Sequence, residues 1–185
     1  MIWEFVINKG MANSDYIQGV IDAAKGKPYS TDWYRDKIEE FGKPGKLDLI
    51  RDGKQNGNPF AGTLNMFVYG PKHKKKLPYY DTFPLVLPIE KYNDGFLGIN
   101  FHYLPIPLRM KLLDKMLDAD LTTSYSAIKG IRLVKPTLHR YLAGYTKSQF
   151  RKIEEDELVI ATLLPVHSFK KSTAKAVWSD SRKMI

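Results

Sequence analysis

Apolar and polar residues alternate most clearly between residues 64 and 104. Three runs there, Leu64–Tyr69, Thr82–Ile89 and Phe96–Leu104, are rich in aromatic and β-branched side chains. Such side chains fit a pleated surface, and alternation at period two turns one side of each run inward. Gly70-Pro71 and a lysine-rich loop separate the first two runs; Asn93-Asp94-Gly95 separates the second and third. Asp-Gly between apolar runs predicts a type I′ hairpin, with positive φ at both central residues. Pro78, Pro84 and Pro88 lack the N–H that a ladder needs, so the middle run is predicted to be an edge strand or bulged.

Helical periodicity marks other stretches. Ser14 caps a predicted helix through Ala24, and a second starts at Ser30 or Thr31 and stops at Gly42, before Pro44. Residues 43–62 read as a loop with a short strand at Leu47–Ile50. After Pro105 and Pro107, Leu108–Leu117 reads as a helix burying Leu108, Leu112, Leu113, Met116 and Leu117, with Arg109, Lys111 and Lys115 outward. Thr122–Lys129 is a short helix ended by Gly130. Thr137 caps a predicted helix through about Lys152, since Leu138, Tyr141, Leu142 and Tyr145 form one stripe. An acidic knot, Glu154–Glu157, precedes a predicted strand at Leu158–Leu164.

The fold class expected is α+β: a small curved antiparallel sheet or partial barrel flanked by helices, with an arm at each end. The expected division is an N-terminal arm at 1–13, a single domain at 14–165 and a basic C-terminal arm at 166–185. Within the domain, 14–42 is helical, 43–62 loop, 63–104 sheet core, 105–152 helical and 158–164 strand. Met11 opens MANSDYIQGV like a natural start, so the first ten residues read as an upstream extension or a docking arm. Trp3 and Phe5 at one end, and Val177 and Trp178 at the other, have no evident place in one core and are expected to dock on neighbouring chains.

Charge adds a direction to this picture. The net charge is +9, but residues 70–153 hold 15 Lys/Arg against 6 Asp/Glu, whereas 1–69 hold 9 of each and 154–185 hold 5 of each. The whole excess sits in the middle section, which suits a polyanion or an acidic protein surface. It comes from the loop Lys72, His73, Lys74, Lys75, Lys76 and from Arg132, Lys135, Arg140, Lys147, Arg151 and Lys152. The loop could neutralise phosphates, with Tyr79, Tyr80 and Tyr92 stacking on bases. A lysine-rich hairpin tip also serves to keep a sheet edge from aggregating. Lysine lacks arginine's bidentate fork, so any nucleic-acid contact would be to the backbone and independent of sequence.

Catalytic patterns are thin. There are no cysteines, and His73, His102, His139 and His167 are not at metal-ligand spacing. Glycine patterns that cradle phosphate are absent. A metal-dependent nuclease would want an acid followed by Glu-x-Lys on the next strand, and here Glu90 and Lys91 are adjacent and so face opposite ways. Asp81 is expected to tie its turn by accepting backbone N–H groups. No cofactor is implied, and no run of about 18 apolar residues predicts a membrane-spanning helix.

Several stretches have a familiar wording: LNMFVYGPKHKKKLPYYDTFPLVLPIEKYNDGFLGINFHYLPIPLRMKLLD, IRLVKPTLHRYL, LLPVHSFKKS and the ending SRKMI. Over residues 14–185 the chain resembles a small late, virion-associated protein of T4-like contractile-tailed phages, cyanophages in particular, and the nearest functional kind is the DNA end protector. The resemblance implies other virion proteins as partners, with DNA as a further one, multiple copies in a symmetric assembly, and location in the virion. The first expectation is therefore a non-enzymatic structural component of the head, neck, tail or baseplate. The alternative is a DNA-binding protein that protects or holds packaged DNA ends, and the second alternative is a metal-dependent nuclease.

Overall fold

The computed structural model describes residues 55–185 apart from 120, 122 and 164. The expected helices within 14–42, the strand at Leu47–Ile50 and the arm with Trp3 and Phe5 lie outside the described residues. Eight strands are described: β1 (Gln55–Asn56), β2 (Asn65–Met66), β3 (Tyr80–Asp81), β4 (Leu85–Tyr92), β5 (Gly95–Asn100), β6 (Leu138–Leu142), β7 (Phe150–Lys152) and β8 (Phe169–Lys170). The α-helices are α1 (Ile106–Asp118), α2 (Tyr125–Ile128), α3 (Leu158–Leu163) and α4 (Ala174–Met184). Six strands form one antiparallel sheet in the order β1-β7-β2-β4-β5-β6, and β3 pairs with β8 in a small second sheet.

The three apolar runs pair as expected: β2 with β4, and β4 with β5, all antiparallel. β4 is internal rather than an edge, and its one proline, Pro88, is accommodated by a bulge. The register breaks between Pro88 and Glu90, where Pro88 has no N–H to give. The hairpin at Asn93-Asp94 forms, but neither residue takes positive φ, so the turn is not type I′. The neighbouring segment explains this, because Ala143 N–H donates to the Asp94 carbonyl (2.8 Å) and Arg140 to its carboxylate (2.6 Å). Gly95 is needed for a different reason: a Cβ there would run into the Tyr141 carbonyl of β6.

Alternation sends Leu85, Leu87 and Ile99 to the helical side of the sheet, where they pack with Leu112, Leu113 and Met116 of α1 and Leu158 and Ala161 of α3. The other side carries an aromatic cluster of Phe67, Tyr69, Phe96, Tyr141 and Phe150. Its rings meet mostly edge to face, as between Phe67 and Tyr141 at 5.3 Å, the arrangement that ring quadrupoles favour.

Three expected segments are also overturned. The stretch Thr137–Lys152 is not a helix; it forms β6, a 3-10 turn at Ala143–Tyr145, and β7. The stripe Leu138, Tyr141, Leu142, Tyr145 satisfies helical spacing, but LHRYL also alternates, and pairing with the open side of β5 lets Tyr141 stack on Phe96 (5.3 Å). Leu158–Leu163, expected to form most of a strand, is instead helix α3. The acidic residues before it form a 3-10 turn at the positive end of that helix, where the dipole favours carboxylates. The C-terminal segment is no arm. Thr173 caps α4 by accepting from Ala176 N–H (3.3 Å), Val177 is fully buried, and Trp178 donates its Nε1–H to the His102 carbonyl (2.8 Å). Val177 and Trp178 therefore pack within the chain itself.

Candidate nucleic-acid interface

The lysine-rich loop is a compact turn. Lys74 N–H bonds to the Pro71 carbonyl, and the N–H groups of Lys76 and Leu77 both bond to the His73 carbonyl (2.9 and 3.1 Å). This local bonding leaves Lys72, His73, Lys74, Lys75 and Lys76 all exposed. Two other parts of the chain are tied to the base of the loop. Gly70 N–H donates to the Tyr145 carbonyl and Lys147 N–H to the Val68 carbonyl, so the Lys147 side chain lies against Gly70. On the other flank, β3 pairs with β8 and places Lys170 opposite Tyr80. Lys171 then takes a left-handed backbone, φ 66°, and its ammonium donates to the carbonyls of Lys75 (2.9 Å) and Leu77 (2.8 Å). That conformation disfavours an L-residue by about 1–2 kcal/mol.

Beside the loop a cleft of about 460 Å³ opens. Pro71, Leu77, Tyr79 and Tyr80 line it, together with Lys135 and Arg140. The Tyr103 ring lies 6.0 Å from Tyr79 and packs on the His139 ring at 3.9 Å, and both also line the cleft. Burial pushes the Tyr103 hydroxyl well above its ordinary value and pulls His139 down to about 4, so both rings are neutral at pH 7.

Under the cleft lies a buried polar network that the sequence showed only in part. Asp81 accepts from the N–H groups of Phe83 and Ser168 (both 3.0 Å), as expected for a turn-tying carboxylate, and also from Asn100 (3.3 Å) and His102 Nδ1 (2.7 Å). Burial works against the Asp81 charge, but these donors outweigh it and keep the carboxyl below its usual range. Burial first, and Arg109 nearby, hold His102 below its ordinary value despite Asp81. A neutral imidazole donating from Nδ1 satisfies both directions. Arg109, expected to face outward, is fully buried. It donates to the Leu104 carbonyl (2.8 Å), and its guanidinium lies 5.5 Å from the Trp178 ring. Burial lowers its pKa to about 9, which leaves it a cation at neutral pH. The network joins β3, β5, α1 and α4, and so fixes the floor on which the loop and cleft sit.

The remaining sequence candidates divide. Arg132 and Lys135 are exposed on the 3-10 turn Arg132–Thr137, and Lys135 reaches the cleft. Arg140 also lines the cleft but is engaged with Asp94 and lies over the Tyr92 ring at 4.6 Å. Tyr92 itself sits at the far hairpin, donating to Glu90. Arg151 is removed from the surface altogether: β7 is an inner strand, and its guanidinium is buried against Glu157 (3.4 Å). Lys152 is paired with Glu154 at 2.9 Å. Sequence reading missed Lys170 and Lys171. They stand out as a doublet, yet nothing local shows that β8 returns to the loop about 95 residues earlier.

A lysine-rich loop beside a partly aromatic cleft is the kind of surface to which polyanions are attracted in general. The comparison with known families agrees. This chain belongs to the family described as the phage T4 terminal DNA protecting protein, which matches residues 12–181. The likeness to a DNA end protector of T4-like phages is thereby borne out. No curated protein and no solved structure matches the chain.

Proposed function

We propose that this protein binds the ends of linear phage DNA and shields them, without itself cutting DNA. The family supplies the class of partner. The observation that carries the reading for this chain is the pair of hydrogen bonds from Lys171 to the Lys75 and Leu77 carbonyls, which, with the Lys147 backbone bond at Val68, brings Lys147 and Lys170 to the loop of Lys72, Lys74, Lys75 and Lys76. Lysines contact phosphates as point charges and carry no base readout. That suits a task in which an end is bound whatever its sequence.

Neither rival has comparable support. A virion structural component was expected to dock through Trp3, Phe5, Val177 and Trp178; the first two lie outside the described residues, and Val177 and Trp178 pack within the chain. Among the described residues no group of three or more His, Asp or Glu is placed to hold a metal, and Asp81 is already engaged by four N–H donors. An end protector acts wherever phage DNA has free ends, in the particle or in the infected host.

Binding of a short fluorescent duplex, followed against salt, tests this. Four to six phosphate contacts give a log–log slope of about −4 to −5, and replacing Lys74, Lys75 and Lys76 by Ala flattens it by about 2–3 whatever the sequence. An unchanged slope in the triple variant removes the loop from the interface.

A further inference from the structure

We infer that the tyrosine-walled cleft receives the unpaired terminal nucleotide of a DNA end, so that the protein prefers an end with a single-stranded extension to a blunt one. This rests on the DNA-end reading above and adds how an end is told from the interior of a duplex. Lysines that grip phosphates cannot make that distinction, because a duplex presents the same backbone along its whole length. Something that only an end can offer must enter a site that a duplex cannot.

The cleft has the attributes of such a site. Its volume of about 460 Å³ falls in the small-ligand range of roughly 300–1,000 Å³, enough for a nucleotide but not for a double helix. Tyr79 and Tyr80 are half-buried at its wall, and the Tyr103 and His139 rings line it as well, 3.9 Å from one another. Every nucleobase has a π-face, so stacking on tyrosine accepts any base. The charges are placed to match. Pro71 and Leu77, which bracket the lysine-rich loop, line the cleft, and so does Lys135. A base inserted there would have Lys135 and the adjoining lysine-rich loop near for its own phosphate and the next. The one carboxylate lining the cleft, Asp81, is 3 % exposed and has its oxygens occupied by N–H donors.

The test compares duplexes of equal length that are blunt or carry a few unpaired nucleotides at the 5′ or 3′ side, with 2-aminopurine at the unpaired terminal position. Tighter binding to at least one extended end is expected, by about 5- to 100-fold for one stacked base, together with quenching of 2-aminopurine on binding. Tyr79→Ala and Tyr80→Ala should bring the ratio of the two affinities toward one and relieve the quenching, while Tyr79→Phe, which keeps the ring, retains both. The quenching is read on the unaltered protein, so it stands even where an alanine variant fails to fold. Equal affinity for blunt and extended ends, or 2-aminopurine fluorescence that binding leaves unchanged, overturns the inference while the DNA reading survives. Absence of binding to any duplex at low salt overturns both.

Discussion

Replacing Trp178 decides whether the C-terminal helix belongs to the fold or is an appendage. Its indole makes three kinds of contact. The Nε1–H bond to the His102 carbonyl is 2.8 Å long, and such a bond contributes about 1 kcal/mol. The ring faces the buried Arg109 cation at 5.5 Å, a desolvated pairing of about 1–2 kcal/mol. The ring also packs edge-on against His167 at 5.3 Å, and its apolar burial adds about 1–2 kcal/mol. Trp178→Ala should therefore destabilise by about 3–5 kcal/mol. Trp178→Phe loses chiefly the N–H donor; because Arg109 Nη2 also reaches toward that carbonyl (3.5 Å), the cost should be only about 1 kcal/mol. Urea unfolding followed by circular dichroism gives both values, with the slope on denaturant unchanged. A Trp178→Ala midpoint equal to wild type would mean that α4 is the loosely attached arm suggested by the sequence.

Two further outcomes follow from the electrostatics. His102 and His139 both have folded pKa values below their unfolded value of about 6.5. Unfolding therefore takes up protons once the pH drops below about 6.5, so stability is full above that value and declines as the pH falls. For His139 the decline continues to about pH 4 and amounts to at most about 3 kcal/mol at roughly 1.4 kcal/mol per unit; Asp81, also depressed, adds a loss only at more acid pH. Urea midpoints at pH 7.5, 5.5 and 4.5 should fall in that order, and less steeply in His139→Gln; a flat profile would mean that the imidazoles are not buried neutral. On the DNA side, Lys147→Ala should flatten the salt slope by about 0.9 and Lys152→Ala should leave it unchanged, since Lys147 flanks the loop and Lys152 is paired with Glu154. Equal effects of the two substitutions would place the interface elsewhere.

The parts of the fold legible in the sequence are those written in local pattern. Alternation and the Asp-Gly dipeptide located the β4–β5 hairpin, and the spacing of Leu112, Leu113 and Met116 located α1. The misread parts are decided by distant partners. β6 exists because the open side of β5 needs a strand, and helical spacing within 138–145 is silent about that. Leu158–Leu163 is a short apolar run whose period does not separate strand from helix; the acids before it were the usable signal. Arg109 reads as a surface cation by type, yet the carbonyls that bury it come from residues 102, 104 and 162. The site follows the same division. The lysine run announces itself, whereas its partners Lys147, Lys170 and Lys171 reach it only through tertiary pairing.

The most direct measurement is exonuclease digestion of linear duplexes that carry one terminal label and differ only in length. A protein that grips ends should protect the label at an amount of protein set by the number of ends, the same for short and long duplexes. Sites cut by an endonuclease in the middle of the longer duplex should stay open. Protection should fade as salt rises and should be weakened in the variant lacking Lys74, Lys75 and Lys76. If the protein needed for protection instead grows in proportion to duplex length, and central sites close together with the ends, the protein coats DNA and does not guard its termini.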